Sequence, residues 1–189
     1  MSYAIQRTEL FFIKKTILKE YDAIITAYSK DFGIIQIIAY GFMRPTSKLK
    51  HSLDSLSLIE VELVHGKEFW ILVGARIIKK VLSIDRLFMW DSFMNLLQKY
   101  SGEKDEHSEE IFTTLITLFE YHQNNNKQEH LSKNLILYWI MYLLYIQGFW
   151  PHTLRTLIFE STLDQAIMYI NKERNNIERD INEVIKRIV

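Results

Sequence analysis

The chain is predicted to be α+β: a small β-barrel in residues 1–80 followed by an α-helical bundle in residues 81–189. Three observations carry this expectation. Apolar residues recur at strand-like spacing before Lys80 and at helical spacing after it, and only the first stretch is broken at hairpin intervals. The length, 189 residues, suits one to two domains, and a chain of this size buries about 70% of the surface exposed by its unfolded form.

Leu10 to Leu18 and Ala23 to Tyr28 are apolar and β-branched, which predicts two strands. Asp31-Phe32-Gly33 forms the next turn, and Gly33 to Phe42 makes a third run with Ile34, Ile35, Ile37 and Ile38. Met43 to Asp54 is one longer polar connection. Leu58 to Val64 then alternates, with Ile59, Val61 and Leu63 on one face and Glu60 and Glu62 on the other. His65-Gly66-Lys67 gives a tight connection to a returning strand at Phe69 to Ala75. Five short antiparallel strands suit a closed or partly open barrel, of which the OB-fold is the common case.

Past Lys80 the period lengthens. Leu82, Leu87, Trp90, Phe93, Met94 and Leu97 fit a helix ended by Ser101-Gly102. Ser108 is placed to cap a helix over Glu109 to His122, whose first-turn acids suit the helix dipole. Gln123 to Gln128 is a polar loop. Leu131 to Gln147 predicts a long apolar helix closed by Gly148, with Pro151 just beyond. Ser161-Thr162-Leu163-Asp164 fits a capping box. Ile177, Ile181, Val184 and Ile188 complete a last helix with one apolar stripe, packed on its own bundle.

Composition removes many functions. With no cysteine among 189 residues, disulfides, iron–sulfur clusters and thiol nucleophiles are excluded. The six histidines show no ligand spacing, so no metal or other cofactor is expected. There is no G-x-S-x-G, no phosphate-binding glycine loop and no H-E-x-x-H, hence no expected enzyme chemistry and no small-molecule substrate. Acids at Glu103, Asp105, Glu106, Glu109 and Glu110 read as a solvated helix start. The longest apolar run, Leu135 to Ile146, is short of the ~20 residues of a membrane span. Charged residues dilute the first fifteen positions, unlike a signal peptide. A cytoplasmic protein is therefore expected.

The formal net charge of zero conceals an asymmetry: twelve Lys/Arg against eight Asp/Glu in residues 1–80, and eleven against fifteen in 81–189. The barrel half is basic. Arg44, Lys48 and Lys50 lie in its long connection, Lys14, Lys15 and Lys19 on or after the first strand, and Lys67 in the last hairpin. Tyr40, Phe42, Phe69 and Trp70 are interleaved with them. Cations on barrel loops with aromatic stacking surfaces are how OB-folds hold single-stranded nucleic acid. Two readings stand side by side here: a nucleic-acid interface, or lysines that solubilise loops over an aromatic core.

Ala39-Tyr40-Gly41-Phe42-Met43-Arg44-Pro45-Thr46-Ser47-Lys48-Leu49 resembles a segment of the RecO family of bacterial recombination mediators, which typically reads A-K-G-[A]-R-R-x-x-S-[KR]-[LF]. Ala39, Gly41, Arg44, Ser47, Lys48 and Leu49 match. Asp22, Ser29 (where the family has Thr), Gly33, Leu53 and Leu58 follow the family's order. Leu143-Leu144, Gly148-Phe149-Trp150-Pro151 and Leu154 are similar to its L-L-x-x-x-G-[YF]-x-P-x-L.

The resemblance spans roughly residues 10–155. It implies an OB-fold on a helical domain and a non-enzymatic protein. Such a protein binds single- and double-stranded DNA, anneals complementary strands, contacts RecR and SSB, and helps load RecA during recombinational repair. On this reading Arg44 and Lys48, which match the pattern, are expected to contact DNA phosphates, followed by the barrel cations Lys50, Lys14 and Lys15, with Tyr40 as the candidate stacking ring.

Two cations of the pattern are replaced, by Tyr40 and Met43, and the four-cysteine zinc site of many members has no counterpart in this cysteine-free chain. The rival expectation is an adaptor that docks RecR or SSB with little DNA affinity of its own. A barrel binding RNA is not separable from these by sequence.

Overall fold

The computed structural model describes residues 4–47, 57–80, 87–100, 106–125, 130–150 and 160–188. Five strands, β1 (Ile5–Ile17), β2 (Ala23–Ser29), β3 (Gly33–Ala39), β4 (Ser57–His65) and β5 (Trp70–Lys80), close into a barrel in the order β1-β2-β3-β5-β4. Helices α1 (Leu87–Tyr100), α2 (Ser108–Asn124), α3 (Leu131–Ile146) and α4 (Leu163–Ile188) follow among the described residues. The chain is α+β with an OB-like barrel first, as the change of period predicts.

Closure depends on β1. Its first half pairs with β4, from Ile5↔Val64 to Phe11↔Leu58, and its second half with β2, from Leu10↔Ser29 to Ile17↔Ala23. The sequence pattern predicts a start at Leu10; the strand begins five residues earlier. Ile5, Gln6 and Arg7 are exposed and only Thr8 of this stretch is buried before Leu10, so no apolar face announces it. The backbone of β4 holds it in place instead. The strand pattern predicts five antiparallel strands, but the ring is not wholly antiparallel. It closes through a parallel seam of two residue pairs, Ile37↔Trp70 and Ile38↔Ile71.

Inside the barrel, Leu10, Ile25, Ile35, Ile37, Ile59, Val61 and Leu63 form one core with Phe42. Burying each of the larger aliphatic side chains contributes about 1.5–3 kcal/mol. Phe11 points the other way along β1 and is still 2% exposed, because it meets Trp90 edge-on at 4.8 Å and Phe112 at 4.9 Å between ring centroids.

The chain divides into two compact units, Met1–Asp91 with Ser101–Thr113, and Ser92–Tyr100 with Thr114–Val189. The first unit thus includes the opening turns of α1 and α2. In it, Ser108 does not cap α2 as expected. Its hydroxyl donates to the Lys30 carbonyl at 2.9 Å, and the His107 carbonyl takes the first helical bond, from Ile111. Glu109 beside it pairs with Lys30 at 3.2 Å.

In the second unit α3 is the central helix. Trp139 is fully buried, lies 5.5 Å from Phe93 between ring centroids and donates its indole N–H to the Phe93 carbonyl. Gly148, at φ 76°, ends the helix in the left-handed region that favours glycine. The capping box of α4 falls one residue later than expected. Thr162 and Gln165 make the reciprocal pair: the Gln165 N–H donates to Thr162 Oγ1 and the Thr162 N–H to Gln165 Oε1. The apolar stripe of α4 is buried at Ile177, Ile181 and Val184. Arg174 of α4 donates to Asn134 Oδ1 of α3 at 2.7 Å, a partly buried polar tie between the two helices.

Candidate nucleic-acid interface

Side chains alternate across a strand, so neighbouring lysines part company. On β1, Leu10 belongs to the barrel core and Phe12 packs against it, which by simple alternation puts Lys14 inward. A bulge overrides this. Phe12 pairs with Ala27 but Lys14 with Thr26, leaving Ile13 as the extra residue. Lys14 therefore stands opposite Thr26, away from the interior, and Lys15 opposite the core residue Ile25. Lys15 is exposed, and its Nζ lies 5.4 Å from the centre of the Phe42 ring. The cation closes over an aromatic of the barrel core.

β3 ends at Ala39, not Phe42 as the isoleucine run predicts, and the chain enters a series of turns. Gly41 has φ 64°, and its N–H donates to the Asp22 carboxylate at 2.8 Å. The Met43 N–H donates to the Tyr21 carbonyl, and the Arg44 N–H to the Gly41 carbonyl. A Cβ at Gly41 would make only ordinary contacts with Arg44, 3.5 Å at the nearest, so backbone conformation rather than crowding selects glycine there. These bonds fasten the turn after β3 to the β1–β2 hairpin.

Tyr21, in that hairpin, is a functional candidate that sequence reasoning misses. The Arg44 guanidinium carbon sits 5.6 Å from its ring centre, so the cation lies on an aromatic face. A hydrogen bond with Glu20 raises the Tyr21 phenol pKa above its ordinary value, while Arg44 pulls the other way. Tyr21 is 41% exposed, as are its hairpin neighbours Ile17 at 64% and Leu18 at 43%. No local pattern marks Tyr21, because its partner lies 23 residues away in the chain.

The structure thus brings Arg44 and Lys15 to the same end of the barrel, each on an aromatic ring, with Lys14 on the outer face. Lys48 and Lys50 lie outside the described residues. Tyr40 is 57% exposed and presents its ring to solvent. The other suggested rings are less available: Phe42 is 2% exposed within the core, and Trp70 is packed between Phe32 and His65, 4.8 Å from each. Arg7 and Arg76 are differently engaged, by Glu62 at 2.8 Å and Glu60 at 3.0 Å on β4.

Among the described residues no group of three or more metal-ligating side chains comes together. No described helix is long and apolar enough to cross a membrane.

Comparison with known proteins completes the picture. Residues 1–81 match the family model described as Recombination protein O N terminal. The chain is similar to the DNA repair protein RecO of Dehalococcoides mccartyi strain BAV1, 25% identical over 175 residues that cover 90% of this chain and 67% of the relative. With the protein of the same name from strain 195 it is 26% identical over 148 residues, covering 77% of this chain and 57% of that one. The chain therefore spans between about half and two thirds of the length of these curated relatives.

Proposed function

We propose, from a RecO amino-terminal domain at residues 1–81 and distant homology to RecO proteins over most of the chain, that this is a non-enzymatic recombination mediator. It binds single- and double-stranded DNA through the barrel, promotes annealing of complementary strands and, with RecR and SSB, helps load RecA during DNA repair in the cytoplasm.

The observation that carries this reading is the pairing of cation with ring at one end of the barrel, Arg44 on Tyr21 and Lys15 on Phe42. A guanidinium resting on a ring is oriented but keeps its charge for a phosphate, unlike one already held by a carboxylate. Phosphate contacts of this kind supply affinity without sequence preference.

A second reading, an adaptor that docks RecR or SSB with little DNA affinity of its own, is favoured by Tyr40 and Met43 standing where the family pattern has cations. Fluorescence anisotropy of a labelled oligonucleotide at two salt concentrations separates the two. The mediator binds with a steep salt dependence. Arg44→Glu with Lys48→Glu weakens binding to all sequences alike and lowers the log–log salt slope by about one unit per lost contact. Binding absent from the wild type at low salt replaces the mediator with the adaptor, and unchanged affinity in the double variant moves the interface elsewhere.

A further inference from the structure

Beyond the end of the barrel just described, its outer face carries a groove that none of the phosphate contacts above explains. Ile38 and Tyr40 alternate with the core residues Ile37 and Ala39, which places both on the outside of β3. Ile71 neighbours the core residue Leu72 and registers with Ile38 across the parallel seam. With Lys67, Glu68 and Phe69 of the β4–β5 hairpin they line a shallow groove of about 360 Å³. Its base is aliphatic, Tyr40 and Phe69 supply aromatic rings, and Lys67 and Glu68 are exposed charges on the hairpin.

We infer that this groove receives one unpaired nucleobase, which stacks on Tyr40 while Lys67 meets an adjoining phosphate. The inference rests on the reading of the barrel as a DNA-binding module and gives it a device for telling single strands from duplex. The chemistry is selective because a base offers its π-face only when unpaired and unstacked; in a duplex both faces are covered by neighbouring pairs. Apolar walls suit the base and a cation suits the backbone beside it. The Glu68 carboxylate repels phosphate and so restricts the backbone to the Lys67 side. A polypeptide strand would add to a free sheet edge, and this groove straddles two strands already joined.

The test uses the full chain with two probes, a fluorescent single-stranded oligonucleotide containing one 2-aminopurine and a blunt, fully paired duplex formed by the same strand and its complement. In the wild type, 2-aminopurine fluorescence reports stacking on binding. Tyr40→Ala is expected to weaken single-strand binding about five- to 150-fold, the range set by loss of one base–aromatic stack, and to leave duplex affinity unchanged. Tyr40→Phe should retain both the affinity and the stacking signal. Tyr40 is 57% exposed, so both variants should keep the wild-type melting midpoint. Unchanged single-strand affinity in Tyr40→Ala, or an equal loss on both probes, overturns the base subsite while leaving the DNA-binding module standing. A wild type that binds neither probe overturns the module itself, and the subsite with it.

Discussion

Asp22 shows how much one carboxylate organises at the residue scale. One oxygen accepts the Gly41 N–H at 2.8 Å, and the residue's own carbonyl accepts the Leu18 N–H at 2.9 Å. Side chain and backbone together tie the β1–β2 hairpin to the turn that bears Tyr40 and Arg44. A hydrogen bond to a charged group contributes about 1.5–3 kcal/mol, and removing one partner leaves the other unsatisfied. Asp22→Ala is therefore expected to lower stability by about 1–3 kcal/mol in urea unfolding and to weaken DNA binding by freeing Arg44 from Tyr21. Asp22→Asn keeps an acceptor for Gly41 and should recover most of the stability. Equal losses in the two variants would show that the charge, not the hydrogen bond, matters.

At the scale of the element, local signals and tertiary partners share control of where each strand and helix begins. The start of α4 is a local affair, closed by Thr162 and Gln165 on each other's backbone N–H groups. Thr162→Ala should cost about 1 kcal/mol and Thr162→Ser much less, because Ser retains the acceptor. Circular dichroism during thermal unfolding measures this; a neutral Thr162→Ala would show that α4 is held by packing alone.

The start of α2 is decided by tertiary structure. Ser108 has the residue type of a cap, yet the barrel carbonyl of Lys30 takes its hydroxyl. β1 shows the same division of control. Its apolar segment from Leu10 is legible, whereas Ile5 to Glu9 form a strand because β4 lies alongside. Its bulge at Ile13 exchanges the faces expected of Lys14 and Lys15.

On the scale of the whole molecule, two groups besides Tyr21 tie stability to alkaline pH. The Glu109 carboxylate hydrogen-bonded to Lys30 raises that ammonium above its ordinary 10.5, and burial raises Tyr138 above its ordinary 10.0. In both cases the folded state holds its proton more firmly than the unfolded chain. Their contribution is fully present below the unfolded values and is lost as pH rises through the folded ones. Urea midpoints should therefore fall above about pH 10. Tyr138→Phe should flatten part of that fall. An identical alkaline decline in Tyr138→Phe would exclude Tyr138 as a cause.

The sequence by itself determined the order of the chain: five strands, then helices, with a change of period near residue 80 that needs only local spacing to be seen. It determined the cation-rich, aromatic-interleaved character of the barrel half, and its ordered motifs carry a resemblance to the RecO family. Tertiary structure alone decided how these residues meet. Tyr21 and Arg44 become partners because two turns far apart in sequence are fastened by Asp22, and Tyr40 and Phe69 line one groove because β3 and β5 meet across a parallel seam. Spacing along a chain reports which face of its own element a residue takes. Contact between elements depends on register and closure, and a single inserted residue such as Ile13 is enough to redirect it.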